Sequence, residues 1–543
     1  MMATSLSAAS KRDLPEIVEA LTRPRMYPDH PRTVELRQTH VSYAFLAGEY
    51  VYKIKKPVRF AFLDASTLAR RHQLCLDEVR LNLRLAPNIY LGVVLILRHA
   101  GGELALGAES AGTAAGTVVE WAVRMRRLGE STMLDRMVAG GSVSVAQIRA
   151  IAARLAAFHR EAAADKGWKY GAAAPVWRLV RGNLEELASD RSDTIAPSDL
   201  NEIEHFVRRA IESRWSLLNR RALGTRVCEG HGDLRCEHVS LAGDTITIID
   251  CVEFSEGLRY ADVASDVGFL AMDLDRLGAR GLSDELVGAY REASGDADFP
   301  LLIPLYKVHR ALVRAKVESL TSRDAAIARD RRAAAAEAAR SYVELALDCA
   351  RQSRPSMVVA CGVSGSGKST VARRLADRLG FEWLRSDEIR KRLAGVASAE
   401  RLTVSYGTGA YSHEFTQKTY AALLGEAAAR LHDGVGVIVD ATFAAPAYRA
   451  EALALAERAH VPVLFVECVA SHEEIVRRLT ARARRIDEIS DADVATYLRQ
   501  RGEFVALREV PQVRHLVTDT ERGLEAVSAS ITERLKNLGR VSG

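Results

Sequence analysis

One stretch in the second half of the chain constrains the fold more than any other. An apolar run, Met357–Cys361, is followed by Gly362-x-x-x-x-Gly367-Lys368-Ser369, which has the full spacing of a Walker A phosphate-binding loop. Apolar residues then recur at helical spacing until Gly380. A buried strand, a phosphate-binding loop and an amphipathic helix in this order predict an α/β domain that binds a nucleotide.

The residue types of this loop suit the phosphates of ATP and a magnesium ion. Glycines let successive backbone N–H groups turn towards phosphate oxygens, and the helix that follows points its positive end at the same anion. We predict that Lys368 reaches the β- and γ-phosphates as a catalytic residue and that Ser369 ligates Mg²⁺. The predicted nucleotide-binding residues are Gly362, Ser364, Gly365, Ser366, Gly367, Lys368, Ser369 and Thr370.

The composition is that of a globular protein with more than one domain. The chain has 543 residues, of which 48% are apolar and 27% charged, and its net charge of +5 is nearly neutral for this length. Because the chain lacks basic residues interleaved with aromatic ones, we do not expect a nucleic-acid groove. The longest apolar run, residues 89–97, is too short to cross a membrane.

The cysteines and the start of the chain predict a location. The seven cysteines include no CxxC pair, which favours reduced thiols over a disulfide framework or a zinc site. The first residues lack a basic region followed by an apolar core, so we expect no signal peptide. Both features predict a cytoplasmic protein, while no pattern in the sequence predicts an oligomeric state.

The first half carries a second pattern that suits phosphate binding. Residues 40–46 and 50–55 read as two strands around a turn at Gly48, and Lys53 lies inside the second strand. A predicted helix follows and carries Glu78. A strand lysine paired with a helix glutamate can hold the α- and β-phosphates of ATP. Lys55 lies on the same face of the strand and is the alternative for the role of Lys53.

Two carboxylates further along complete this pattern. Asp233 stands in the segment Glu229-Gly-His231-Gly-Asp233, where a carboxylate can accept the proton of an acceptor hydroxyl. Asp250 ends an apolar strand over residues 245–249, and this position suits a carboxylate that binds Mg²⁺. With the upstream lysine and glutamate, these residues predict a phosphotransfer site.

Residues 35–320 resemble the aminoglycoside phosphotransferase and choline kinase-like family. The resemblance is carried by His231-Gly-Asp233, by Ile249-Asp250, and by the segments 52–57 and 62–66. It implies a bilobal, protein-kinase-like fold, in which we expect residues 120–125 to connect the lobes. It further implies that ATP phosphates bind Lys53, that Glu78 pairs with this lysine, that Asp233 is the catalytic base and that Asp250 binds a metal ion.

Two departures from this family affect the predicted site. No glycine-rich loop precedes Lys53, since residues 38–42 read Gln-Thr-His-Val-Ser, so the phosphates must be covered differently. His238 stands where the family has an asparagine that is the second metal ligand. Imidazole is a poor ligand for Mg²⁺, because hard cations prefer oxygen. His238 is therefore a metal ligand by position only. It could instead donate a hydrogen bond to a phosphate, the site could run with one metal ion, or the ring could simply pack.

Strands and helices alternate after the phosphate-binding loop. We predict strands near 357–361, 381–385, 435–440, 462–468 and 514–518, which argues for a parallel sheet covered by helices on both faces. Asp387 follows the second strand as a candidate base for an acceptor hydroxyl, and Asp440 ends the third, where it would position Mg²⁺. Arginines that could close over a transferring phosphoryl group follow later: Arg477, Arg478, Arg482, Arg484 and Arg485.

Residues 355–543 resemble the small P-loop kinases, such as gluconate kinase, polynucleotide 5′-kinase and the zeta-toxin-like kinases. The resemblance is carried by the phosphate-binding loop, by Ser386-Asp387-Glu-Ile-Arg390 and by Asp440-Ala-Thr442. It implies that Asp387 is the catalytic base on the acceptor side, that Arg482 is a catalytic lid residue, and that Asp440 and Thr442 support the metal ion. These kinases use different hydroxyl acceptors, so the fold does not select one.

The sequence therefore predicts two domains of mixed α/β and α+β class. A kinase-like phosphotransferase domain would cover residues 1–350, with a linking helix near 322–352, and a P-loop kinase domain would cover 355–543. Each would bind ATP and Mg²⁺ and pass the γ-phosphate to a hydroxyl of a small molecule. Two alternatives stay open: the first domain could be a catalytically weak, ligand-binding regulator, or the protein could be a toxin-like or nucleic-acid 5′-end kinase.

Overall fold

A computed structural model of the chain describes residues 8–60, 63–108, 116–189, 195–325, 327–353, 355–396, 409, 412–482 and 493–541. The chain divides into two units, one with residues up to Ile211 and Trp215–Ala346, the other with Glu212–Arg214 and the residues from Leu347 onward. Within the described residues, no helix is both long and apolar enough to cross a membrane.

The first unit begins with a part rich in strands. Its elements in chain order are α1 (Ala8–Leu21), β1 (Val34–Gln38), β2 (Ser42–Ala47), β3 (Tyr50–Lys55), β4 (Arg59–Phe60), β5 (Leu63–Asp64), α2 (Leu68–Asn82), β6 (Tyr90–Arg98), β7 (Leu104–Ala108) and β8 (Thr117–Arg126). Antiparallel pairing gives a sheet in the order β1-β2-β3-β8-β6-β7.

Alternation along β3 decides which side chains each face of this sheet presents. Tyr52 and Ile54 are buried among apolar residues of α1 and of the neighbouring strands. Lys53 and Lys55 therefore point to the opposite face, where the buried Cys75 of α2 packs against β8. Both predicted lysines thus lie under the helix that carries Glu78.

The segment predicted to connect the two lobes is instead a central strand. β8 lies between β3 and β6, where Val123 pairs with Lys53 and Ala122 pairs with Val94. Ala122 and Val123 are buried because the sheet has neighbours on both sides of this strand. The chain leaves the sheet only after Arg126, so any connection between the lobes begins there.

The rest of the first unit is mainly helical. Its elements in chain order are α3 (Leu134–Ala139), α4 (Val145–Glu161), α5 (Gly167–Gly171), α6 (Ala173–Ala188), α7 (Pro197–Ser213), α8 (Trp215–Leu223), β9 (Val227–Glu229), β10 (Val239–Ala242), β11 (Thr245–Ile248), α9 (Glu256–Arg259), β12 (Tyr260–Asp262), α10 (Val263–Arg276), α11 (Arg280–Ser294), α12 (Ile303–Arg323) and α13 (Arg329–Gln352). Every residue of α10 from Val263 to Leu274 is buried, which makes it the central helix of this part. A strand-rich part followed by a helical part confirms the predicted kinase-like fold class.

The second unit is built on a parallel sheet. Its elements in chain order are β13 (Met357–Cys361), α14 (Lys368–Leu379), β14 (Glu382–Arg385), α15 (Ser386–Leu393), α16 (His413–His432), β15 (Val437–Asp440), α17 (Pro446–Arg458), β16 (Val463–Val469), α18 (His472–Arg482), α19 (Val494–Glu503), β17 (His515–Asp519) and α20 (Leu524–Val541). The strand order is β14-β15-β13-β16-β17, and every pair is parallel.

Helices on both faces explain why the strands of this sheet are apolar runs. β13 and β15 are buried throughout. One face packs against residues of α14 and α20, and the other packs against residues of α16 and α17. This arrangement confirms the predicted parallel sheet with helices on both faces, and it brings the carboxyl ends of all five strands to one edge.

A buried ion pair ties α2 to β8 and gives a test of the first unit. Arg71 and Glu120 are both almost fully buried, and Arg71 Nε lies 2.8 Å from Glu120 Oε2. Replacing Arg71 by Met would leave an unpaired carboxylate in the interior, so we expect a loss of about 3–5 kcal/mol in the free energy of unfolding. Denaturant unfolding measures this loss.

The neighbouring Arg70 provides the matched control. It pairs with Asp64 but its side chain is 55% exposed, so Arg70→Met should cost less than about 1 kcal/mol. The double variant Arg71→Met/Glu120→Leu should recover most of the stability, because no buried charge remains. An equal loss of unfolding free energy in Arg71→Met and Arg70→Met would contradict the assigned role of the buried pair.

Candidate active sites

The phosphate-binding loop runs from the end of β13 to the start of α14, and three of its glycines have positive φ angles. These are 136° at Gly362, 83° at Gly365 and 88° at Gly367. A Cβ on Gly362 would lie 2.6 Å from the carbonyl oxygen of Cys468 on β16, so the loop can leave the sheet this closely only with glycine there. Lys368 and Ser369 follow as the first residues of α14.

A carboxylate at the end of β15 offers a place for a cation beside this loop. Asp440 is almost fully buried, and its Oδ2 accepts a hydrogen bond from Trp383 Nε1 at 3.2 Å. Its Oδ1 is buried and has no hydrogen-bond partner among the described residues. Burial raises the pKa of Asp440, although the charge of Lys368 and a hydrogen bond from Ser369 oppose this. An orphaned carboxylate oxygen beside a serine hydroxyl fits Mg²⁺, which prefers oxygen ligands.

The other predicted residues of this site lie at different distances from the loop. Asp387 is half-buried in the first turn of α15, directly after β14. After burial, its negative charge is a further cause of the raised pKa of Asp440. Ser364 and Ser366 are buried in the loop, whereas Thr370 is exposed on α14.

One of the predicted arginines contacts the loop. Arg478 Nη1 donates to Thr520 Oγ1 at 2.9 Å, and Thr520 Oγ1 donates to the carbonyl oxygen of Ser366 at 2.7 Å. Arg477, one residue away, is 70% exposed and pairs with Glu474. Arg482 is the last residue of α18.

The remaining arginine predictions lie outside the described residues. This applies to the side chain of Arg482 and to Arg484 and Arg485. Among the arginines that the structure describes in this cluster, Arg478 is therefore the one positioned to influence the phosphate-binding loop.

Two further residues of this unit carry no signal in the sequence. Gln500 on α19 accepts a hydrogen bond from the backbone N–H of Ser364 at 2.8 Å, so a helix far along the chain contacts the phosphate-binding loop. Arg449 on α17 is fully buried and donates to the carbonyl oxygens of Phe443 and Val505. It fixes the segment after Asp440, where Phe443 has a φ of 47°. Both contacts join distant parts of the chain, so local spacing could not reveal them.

A cavity of about 260 Å³ adjoins the loop at the carboxyl ends of β13 and β16. It is lined by residues that include Gly362, Ser366, Cys468, His472, Tyr497 and Arg501. His472 Nδ1 lies 2.9 Å from the hydroxyl of Tyr497, which joins α18 to α19 along the wall of this cavity.

In the first unit, a single glutamate lies between the two predicted lysines. Glu78 Oε1 is 3.0 Å from Lys53 Nζ, and Glu78 Oε2 accepts a hydrogen bond from Lys55 Nζ. Lys55 also bonds to Glu253 and is 2% exposed, whereas Lys53 is 15% exposed. Lys53 is therefore the more exposed of the two lysines, and Lys55 is part of the interior.

Lys53 also reaches the second predicted carboxylate. Its Nζ lies 2.6 Å from Asp250 Oδ1. Burial would raise the pKa of Asp250, but Lys53 and His238 outweigh burial and hold it well below the usual range. Asp250 has a φ of 69°, which is unusual outside glycine. Tyr90 and Asn82 accept hydrogen bonds from the backbone N–H groups of Asp250 and Cys251, and so hold this conformation.

Asp233, the predicted base, lies in an ion pair with Arg235. Arg235 Nη2 is 3.1 Å from Asp233 Oδ2. Burial would raise the pKa of Asp233, but Arg235 and His238 outweigh it, so the pKa is lowered. His238 lies between the two carboxylates, 3.8 Å from Asp233 Oδ2 and 3.6 Å from Asp250 Oδ2. The structure thus brings Lys53, Glu78, Asp233, His238 and Asp250 into one cluster.

A residue of the central helix α10 binds the backbone of the loop that carries Asp233. Asp266 on α10 accepts hydrogen bonds from the backbone N–H groups of His231 at 2.6 Å and Gly232 at 2.9 Å. A Cβ on Gly230 would lie 2.4 Å from Asp266 Oδ2, so glycine is needed there. Burial would raise the pKa of Asp266, but hydrogen bonding and charge from His159 outweigh it and lower the pKa.

Sequence reasoning missed two residues of this cluster. Arg235 stands two positions after Asp233 and Glu253 three positions after Asp250, so their proximity to the two predicted aspartates was the available signal. What the spacing could not show is the partner of each. Glu253 pairs with a lysine of β3, which lies in a distant part of the chain.

Sequence profiles of two families match this chain. The phosphotransferase enzyme family matches residues 45–305, and an AAA domain profile matches residues 357–507. The chain therefore combines a phosphotransferase domain with a P-loop domain, which confirms the resemblances predicted from the sequence.

Relatives with both halves occur in mycobacteria. The uncharacterized proteins Rv2004c of Mycobacterium tuberculosis and Mb2027c of Mycobacterium bovis are each 32% identical over 464 residues, which cover 84% of this chain and 88% of theirs. The chain belongs to the same family as these proteins.

Solved structures similar to parts of this chain include kinases. A sugar kinase from Janibacter is 23% identical, covers 35% of this chain and 98% of its own, and has a TM-score of 0.26. A choline/ethanolamine kinase family protein from Mesorhizobium loti is 14% identical, covers 61% of this chain and 98% of its own, and has a TM-score of 0.36.

The contact between Asp266 and the Asp233 loop gives a pH-dependent prediction. Because the pKa of Asp266 is lowered by folding, its ionised form stabilises the folded protein above the ordinary aspartate pKa, about 3.9. This stabilisation is lost as the pH falls through that value towards the lower pKa of the folded state. Asp266→Asn should therefore cost about 2–3 kcal/mol at pH 7, and the difference from wild type should narrow below about pH 4.

Thermal unfolding between pH 7 and pH 3.5 measures this difference. The exposed Asp244, in the turn between β10 and β11, serves as the control, and Asp244→Asn should change stability by less than about 0.5 kcal/mol. If the stability difference between wild type and Asp266→Asn stays constant down to the lowest pH, the charge of Asp266 is not what stabilises the loop that carries Asp233.

Proposed function

We propose that the protein is an ATP-dependent phosphotransferase with two separate ATP sites, each of which transfers the γ-phosphate to a hydroxyl of a small molecule. The first site belongs to a domain over residues 1–350 and the second to a domain over 355–543. The observation that carries this proposal is the phosphate-binding loop of the second domain, with three positive-φ glycines. The orphaned oxygen of the buried Asp440 lies in the same site.

In the second site, each residue has a distinct part in the transfer. The glycine-rich loop would bind the phosphates through backbone N–H groups, and Lys368 would stabilise charge on the γ-phosphate. Ser369 and Asp440 would hold Mg²⁺, which neutralises phosphate charge when bound. Asp387 would accept the proton of the acceptor hydroxyl as its oxygen bonds to the γ-phosphorus. The bond to the bridging oxygen breaks, and ADP leaves with that electron pair.

In the first site, Lys53 would bind the ATP phosphates from its position beside Asp250 Oδ1, and Glu78 would keep the lysine in place. Asp233 would accept the hydroxyl proton, and Asp250 would bind the cation. The distance of 2.6 Å between Lys53 Nζ and Asp250 Oδ1 supports this assignment. It places the group that would bind the phosphates next to the group that would bind their cation.

One observation favours the alternative of a regulatory first domain. The ion pair between Arg235 and Asp233 lowers the pKa of the proposed base, and a weaker base accepts a proton less readily. A ligand-binding domain with little turnover is therefore the second candidate function for residues 1–350.

Variants that disable one site at a time test both assignments in the full chain. We expect Lys368→Ala to reduce turnover at the second site by about a hundredfold or more, and Asp233→Asn to reduce turnover at the first site by about a hundredfold or more. The measurement is ADP release with a panel of sugars, sugar acids, amino alcohols and a 5′-hydroxyl oligonucleotide.

The two substitutions should affect different acceptors in this panel. If Lys368→Ala removes all turnover and Asp233→Asn removes none, the first domain is a regulator. Labelling of the oligonucleotide would instead support a nucleic-acid 5′-end kinase. Undiminished turnover in Lys368→Ala/Asp233→Asn would contradict both proposed sites.

Arg478 and Arg477 form a matched pair for the second site. Arg478 reaches the phosphate-binding loop through Thr520, whereas Arg477 is mostly exposed and pairs with Glu474. We expect Arg478→Ala to lower kcat/KM for ATP about tenfold, because the loop loses its brace and a nearby positive charge. Arg477→Ala should leave kcat/KM unchanged, and equal effects of the two would contradict the role of Arg478.

A further inference from the structure

The imidazole of His238 is held with one nitrogen directed at Asp250. His238 Nδ1 lies 2.7 Å from the backbone carbonyl oxygen of Asp233. A carbonyl oxygen only accepts hydrogen bonds, so Nδ1 carries the proton in this contact. In the neutral ring the lone pair is then on Nε2, which lies 3.6 Å from Asp250 Oδ2.

Asp250 presents this oxygen because its other oxygen is occupied. Lys53 Nζ bonds to Asp250 Oδ1 at 2.6 Å, which leaves Oδ2 on the side of His238. Tyr90 and Asn82 fix the backbone on either side of this carboxylate. His238 itself is 7% exposed, whereas the Asp250 side chain is 41% exposed and is held by its ion pair with Lys53.

Among the residues that the structure describes, two other side chains lie near Nε2. Arg235 Nη2 lies 3.3 Å away and can donate to the lone pair, and Glu237 Oε1 lies 3.8 Å away. Arg235 also contacts Asp233 and Glu237, so it keeps two ionic partners if a cation displaces it from His238. The arginine is therefore a competitor that can withdraw without being left unpaired.

We propose that Asp250 Oδ2 and His238 Nε2 together bind the divalent cation of the nucleotide, and that the first site therefore prefers Mn²⁺ or a similar first-row transition ion to Mg²⁺. The inference rests on the proposed function of this site. Imidazole nitrogen suits transition ions, whereas Mg²⁺ selects oxygen ligands. Among the described residues, no three or more His, Cys, Asp or Glu side chains converge as a metal site. Phosphate and water oxygens would therefore complete the coordination.

The second site of the same chain provides an internal comparison. Its candidate ligands, Ser369 at the start of α14 and Asp440 at the end of β15, supply oxygen only. That donor set suits Mg²⁺. One chain would thus contain two ATP sites with different metal preferences.

Electron spin echo spectroscopy of bound Mn²⁺ tests the inference directly, because a coordinated imidazole nitrogen modulates the echo. The sample is the full chain with Lys368→Ala, which weakens nucleotide binding at the second site, loaded with Mn²⁺ and the ATP analogue AMP-PNP. We expect nitrogen modulation that changes on ¹⁵N labelling of histidine and disappears in His238→Asn. Calorimetry should show the dissociation constant for Mn²⁺ rising about tenfold in His238→Asn, while that for Mg²⁺ does not rise.

The outcomes separate this inference from the proposed function. If the Lys368→Ala protein binds no Mn²⁺–nucleotide, or if binding persists unchanged in Asp250→Asn, the proposed first ATP site is wrong. If binding depends on Asp250 but shows no histidine nitrogen modulation, the site stands and the role of His238 as a ligand is overturned. Equal affinity for Mn²⁺ and Mg²⁺ in the presence of His238 would overturn the metal preference.

Discussion

The first unit depends on one buried carboxylate that holds two lysines. Glu78 bridges Lys53 and Lys55, and Glu253 binds the second lysine from the opposite side. Isolated charges at this depth would cost several kcal/mol each, so the strand, the helix and the segment after β11 are stable only together. Burial would raise the pKa of Glu78, but the two lysines outweigh it and lower the pKa. The placement of Lys53 beside Asp250 follows from this interior network.

The proposed second site would position phosphate by a different physical means. Its loop uses backbone geometry at three glycines, and the nearby carboxylate of Asp440 keeps one buried oxygen without a partner among the described residues. In the first site, by contrast, the corresponding carboxylate of Asp250 is already neutralised by Lys53. A cation would therefore relieve a desolvated charge in the second site, whereas in the first it would bind a carboxylate that Lys53 already neutralises through its other oxygen.

The contrast between local and distant contacts explains what the sequence could predict. The parallel sheet was predictable because strands such as β13 and β15 are apolar runs between helices, and the loop was predictable from its spacing. Lys53 and Lys55 could not be separated, since alternation places both on one face, and the distinction comes from Glu253 in a distant segment. Gln500 was missed because its contact with Ser364 crosses most of the second unit. The prediction that residues 120–125 connect the lobes was wrong because the composition of a strand does not show whether it has neighbours on both sides, and β8 pairs with both β3 and β6.

The topology of the second unit explains why its predicted residues meet. In the order β14-β15-β13-β16-β17, the chain leaves β13 towards one side of the sheet and leaves β16 towards the other. Ligands of such sheets bind at the carboxyl ends of strands where this direction reverses, and the cavity beside Gly362 and Cys468 lies at that point. Asp440 and Asp387 follow strands on one flank, while α18 and α19 lie on the other. The position of the proposed phosphate site thus follows from strand order, and we expect specificity for its proposed acceptor to arise from the side chains that the flanking helices bring to the same edge.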